Sequence, residues 1–141
     1  MADSYGYRYG NRVIVKKLLD SDSAAITAGD IITTSDATAG YVKEADATGE
    51  LFAGVAVTSA SSPSADGGAF VLVDVSQESV YEYPADSGTP AAADAGFTCD
   101  IAAARSINFD ASATDNVKIH RVDTDASTLF VSFITDYAGT A

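Results

Sequence analysis

Turn-forming residues interrupt the chain at intervals of about ten residues, and the stretches between them are too short for anything but strands. Gly29-Asp30 opens into Ile31-Ile32-Thr33-Thr34, Ala39-Gly40 into Tyr41-Val42-Lys43, and Thr48-Gly49-Glu50 into the apolar run Leu51 to Thr58. That run is continuous rather than alternating, as expected for a strand buried on both faces or bent at Gly54. A strand is expected at Arg12 to Leu18 around Val13, Ile14 and Val15, and a loop from Ser59 to Gly68. Farther on, Ala69, Val71, Val73 and Val75 alternate on one face with Leu72 and Asp74 on the other, and Val80-Tyr81-Glu82-Tyr83 stops at Pro84. Phe97 to Ile101 and Ser106 to Phe109 follow as short strands. Val117 to His120 and Leu129 to Phe133 then bracket the turn Asp123-Thr124-Asp125-Ala126 as a closing hairpin. One helical signal is present, Thr89 as N-cap before Pro90, three Ala and Gly96, two turns long at most.

Composition agrees with strands. Val and Ile together number 20 and Leu only 5, and β-branched side chains suit a pleated, half-buried surface. A helical bundle, a coiled coil and a disordered chain are therefore excluded, and the lack of any βαβ unit excludes an α/β fold. The expected fold is all-β: a small β-barrel or sandwich of short antiparallel strands, with one short helix and an extended N-terminal arm. Its parts are an arm at 1–11, a single β-barrel domain at 12–136 and a frayed C-terminal tail at 137–141. In the arm, Tyr5, Tyr7 and Tyr9 alternate, so an extended form shows three rings on one side.

Charge is segregated. Residues 1–17 hold Arg8, Arg12, Lys16 and Lys17 against Asp3, a formal +3, whereas the remainder carries −15 within a total of −12. An acidic body repels phosphate backbones and anionic lipid, so neither nucleic acid nor a membrane is an expected partner. Cys99 is the single cysteine, so no intrachain disulfide forms; Phe97, Cys99 and Ile101 are expected on one buried face. The polar opening Met1-Ala2-Asp3-Ser4 lacks an apolar leader core, and the chain is expected to stay in the cytosol where it is made.

No catalytic, cofactor-binding or metal-binding residues are expected. His120, the single histidine, alternates outward from Val117 and Ile119 and has neither a Gly-x-Ser-x-Gly elbow nor a cysteine signature to serve. One His and one Cys assemble no zinc site. Asp20-Ser21-Asp22 and Asp123-Thr124-Asp125 pair carboxylates two apart, but neither continues into a calcium loop, and Asx turns account for both. An enzyme is not expected.

Order and spacing of these elements carry a resemblance. Ala28-Gly29-Asp30-Ile31, then Gly49 to Val57, then Val71-Leu72-Val73-Asp74 leading to Tyr81-Glu82-Tyr83-Pro84, resemble head decoration (capsid cement) proteins of tailed bacteriophages. Ala92 to Ile101, a short helix feeding a strand that ends in Asp-Ile, is similar too, as is the close Arg121 to Asp125 with Leu129 to Phe133. The likeness spans about residues 12–135. It implies a structural virion protein on the outer surface of the mature capsid, often a homotrimer, which braces the shell against internal DNA pressure with the major capsid protein as partner and catalyses nothing. On that basis Tyr5, Tyr7, Arg8, Tyr9 and Arg12 are the expected capsid-binding residues: the arm pairs with a coat strand, its tyrosines fill pockets, and the arginines meet coat carboxylates. The alternative is a virion tail or surface adhesion module that binds a receptor or carbohydrate, although no Trp is present to stack a sugar.

Overall fold

The computed structural model describes residues 6–35, 38–47 and 50–134. Among the described residues eleven strands form: β1 (Gly6–Tyr9), β2 (Ile14–Leu18), β3 (Ile31–Thr34), β4 (Val42–Glu44), β5 (Phe52–Ala56), β6 (Phe70–Asp74), β7 (Val80–Pro84), β8 (Thr98–Ala103), β9 (Ser106–Asn108), β10 (Val117–Asp123) and β11 (Thr128–Phe133). They build two antiparallel sheets, one ordered β1-β7-β11-β10-β8-β9 and the other β2-β6-β5-β3-β4. The all-β expectation holds as a sandwich; the sheets close no barrel.

Two apolar clusters explain why the sheets stack as they do. Ile31, Phe52 and Val55 of the five-stranded sheet meet Tyr81, Tyr83, Ile101, Ile119, Leu129, Val131 and Phe133 of the six-stranded one. Phe52 and Phe133 stack with ring centroids 4.3 Å apart and planes 3° from parallel. The second cluster lies on the opposite face of the five-stranded sheet. There Leu19 and Ile26 pack with Ile32, Val42, Ala53, Ala56, Val71 and Val73. A parallel bridge between Leu19 and Val42 draws the first and last strands of that sheet toward each other, curling it around this cluster. Strand β5 sits between the clusters and all five of its residues are buried, the two-sided burial its apolar run foretells.

Gly54 is required where β5 crosses β6. Its φ is +149°, and a Cβ there would lie 2.6 Å from Val73 Cβ. The close approach lets Val73 fill the second core, and no side chain fits between the strands.

Three local expectations change in detail. Residues 1–5 of the expected arm lie outside the described residues, and residues 6–9 are already strand β1, hydrogen-bonded to β7. The helix shrinks to one 3₁₀ turn, Ala92–Asp94, with the Asp94 carboxylate accepting the Ala91 N–H at 2.8 Å. Three alanines are too few to propagate a helix, and the Gly96 N–H is claimed by the Ile119 carbonyl at 2.7 Å. Phe97 does not join Cys99 and Ile101 inside. Gly96 and Phe97 both bond to Ile119, a bulge that turns the Phe97 ring out to 65 % exposure.

Candidate functional site: a basic margin along two sheet edges

Strands β1 and β2 are adjacent in the chain and each is an outer strand of its sheet, so the basic N-terminal stretch becomes one margin of the sandwich. Tyr7 packs edge-on against the buried Tyr81 ring at 5.7 Å and donates its hydroxyl to the Gly10 carbonyl at 2.7 Å. The Arg12 guanidinium lies over the Tyr7 ring at 4.1 Å. Arg8 reaches Glu82 Oε1 from both Nε and a terminal nitrogen at 3.0 Å, while Glu82 Oε2 accepts the Thr128 hydroxyl at 2.6 Å. A register shift between Tyr7 and Tyr9 interrupts the alternation, and Tyr9 stands 57 % exposed. Tyr5 lies outside the described residues. Of the expected binding residues, then, Tyr7, Arg8 and Arg12 also hold the margin together, and Tyr9 is the most open.

A buried carboxylate anchors this margin. Asp74 accepts the Tyr81 hydroxyl at 2.6 Å and the N–H groups of Val13 and Ser76 at 3.0 Å each, and Arg12 lies 3.7 Å from its Oδ2. Burial by itself raises its pKa, but the Ser79 and Tyr81 hydroxyls and the Ser76 and Val13 N–H groups outweigh that and hold it below the usual range. Asp74 therefore ties the five-stranded sheet to Tyr81 of the other sheet and to the start of β2. Between β1 and the five-stranded sheet a cleft of about 330 Å³ opens, lined by Tyr7, Arg8, Arg12, Gly29, Val57 and Tyr81.

Strand β2 adds what the sequence did not single out. Ile14, Lys16 and Leu18 are exposed, and Leu18 sits directly opposite Phe70, itself 52 % exposed. The Lys16 ammonium rests over the Phe70 ring at 4.7 Å. A groove of about 560 Å³ runs on from Phe70 and Leu72 between Thr58–Ser61 and Gly68–Ala69. A legible signal existed: two successive lysines within an apolar strand put a charge on each face, and only an outer strand tolerates that.

Elsewhere the polar groups serve the loops. Asp123 Oδ1 accepts the N–H groups of Asp125 and Ala126, and Asp20 Oδ1 accepts that of Asp22, the Asx turns expected of both pairs. Asp100, fully buried, takes the N–H groups of Ala113, Thr114 and Asp115. His120 occupies a bulge between Ile119 and Arg121, with Nε2 2.7 Å from Ser132 Oγ. Burial and the nearby Lys118 lower its pKa. The pair bridges neighbouring strands on the outer face of the β10–β11 hairpin. Among the described residues no three of His, Cys, Asp and Glu converge to hold a metal ion, and no helix is long and apolar enough to cross a membrane. No family model, no curated protein and no solved structure matches the chain.

Proposed function

We propose that this chain is a structural virion protein that binds the outside of a mature bacteriophage capsid and stabilises it against internal DNA pressure. The observation that carries the proposal is the segregation of binding chemistry: residues 1–17 carry +3 against −15 for the remainder and run along the outer strands β1 and β2, where Arg8 and Arg12 are paired to Glu82 and Asp74 while Tyr9 and Lys16 stand exposed. Such a domain suits attachment by one side to an acidic protein surface while its acidic sides repel nucleic acid. The resemblance to head decoration proteins supports the same assignment.

In this proposal the major capsid protein supplies the complementary surface, and the chain acts outside the shell without catalysis or cofactor. Since Gly6–Tyr9 already form a strand on β7, the partner meets a preformed margin and little chain entropy opposes binding there. A homotrimer would present three such margins as linked sites, raising avidity without new contacts.

The test is co-sedimentation of the purified protein with mature and with immature heads of its source phage. Saturable, stoichiometric pelleting with mature heads is the expected result. Failure to pellet with either form removes the decoration assignment and shifts weight to a tail or adhesion module.

A further inference from the structure

We propose that the open edge of β2 is a docking site for an extended acidic segment of a partner protein, added as a further strand to the five-stranded sheet. The backbone decides which groups are on offer. Leu19 donates to the Ala69 carbonyl, and Val75 donates to the Val13 carbonyl, so the odd-numbered residues of this strand face β6. On β6, Leu72 turns the other way, its carbonyl taking the Val57 N–H and its N–H giving to Thr58 Oγ1. Alternation along β2 then points the N–H and C=O of Ile14 and Lys16 outward, and among the described residues no strand pairs with them. The opening ends at Leu19, where the bridge to Val42 begins and the Asp20 N–H donates to the Val42 carbonyl.

Side chains decide the partner. A strand laid against β2 brings its residues opposite Ile14, Lys16 and Leu18 on the face shared with Phe70, and opposite Val15 and Lys17 on the other. Exposed Ile14, Leu18 and Phe70 reward apolar residues, and the groove beyond Phe70 has room for one more. Lys16 and Lys17 reward acids. Two copies of β2 paired in antiparallel fashion about Lys16 would set lysine against lysine, so the charge that admits an acidic strand disfavours that self-pairing. Read against the run of β2, the preferred core is apolar, acid, acid, apolar, apolar.

The assay uses the full chain and a capped peptide, Thr-Leu-Glu-Glu-Val-Val-Thr, at millimolar concentration, followed through backbone amide NMR. No heads enter it, so its failure is separable from failure of the decoration assignment. The Ile14 and Lys16 amides are expected to shift and to exchange more slowly, and the Val15 and Lys17 amides, committed to β6, to move less. Replacing both Glu of the peptide by Lys is expected to weaken binding at least ~10-fold. Lys16→Pro removes one outward N–H without touching the β6 ladder and is expected to abolish the shifts while the Tyr81 and Val73 amides keep their positions. The proposal is overturned if the acidic peptide moves neither amide, if the lysine peptide binds equally well, or if Lys16→Pro binds unchanged. Protection of the same amides that grows with protein concentration in the absence of peptide overturns it also, in favour of a second copy.

Discussion

Removing a single oxygen tests how the margin is held. Tyr81→Phe leaves the ring, its contact with Tyr7 and its burial unchanged, and deletes only the hydroxyl that donates to Asp74 at 2.6 Å. A hydrogen bond to a charged acceptor contributes about 1.5–3 kcal/mol. Asp74 keeps the Val13 and Ser76 N–H groups and Arg12 nearby, so the loss belongs in the middle of that span, about 2 kcal/mol. For a chain of this size that lowers Tm by about 8 °C. The sign with pH follows from the direction of the Asp74 shift. A carboxylate held below its ordinary pKa stabilises above the unfolded value and loses that contribution as pH falls through the folded one. The gap between wild type and variant should therefore be flat from neutrality down to about pH 5 and close below about pH 4. Urea unfolding followed by circular dichroism at several pH values measures it. A loss under about 0.5 kcal/mol at pH 7 would show that the carboxylate is satisfied without the tyrosine, and a gap that persists in acid would show that Asp74 is not the partner that matters.

Three more outcomes are expected. Gly54→Ala drives a methyl against Val73 where β5 crosses β6 and should cost about 1–3 kcal/mol in urea unfolding, whereas Gly40→Ala, with nothing near its Cβ, carries only the smaller strain of a positive φ. Cys99 is buried and its thiol is pushed up to about 12 by burial and by Asp100, so a thiol reagent at pH 8 should label it only at the rate of unfolding; prompt labelling of the native protein would contradict this. Glu44 is raised to about 7 by burial and by Asp30, with Asp46 adding to the shift and Arg105 opposing it. An acid raised on folding stabilises fully below its unfolded pKa and progressively less up to its folded one. Wild-type Tm should accordingly decline between pH 5 and pH 8 more than that of Glu44→Gln.

Local pattern made much of this fold legible. The period-2 run Ala69 to Val75, the hairpin closing on Asp123 to Ala126, and the two-sided burial of Phe52 to Ala56 within the apolar run follow from side-chain alternation and turn residues, which act over a few neighbours, although Leu51 at its start is exposed. Phe97 shows where that reach ends, since its outward turn depends on a bulge opposite Ile119, some twenty residues away in the chain. The binding margin divides in the same way. Sequence alone determined an all-β chain with an acidic body and a basic, tyrosine-rich start. The successive lysines of β2 already mark it as an outer strand, but tertiary structure alone decided that β1 lies at the edge of the other sheet, that Asp74 faces Tyr81 across the sandwich, and that Ile14, Leu18 and Phe70 stay uncovered. Which face of a strand is buried, and which edge is free, depends on the elements packed against it, and those come from distant parts of the chain.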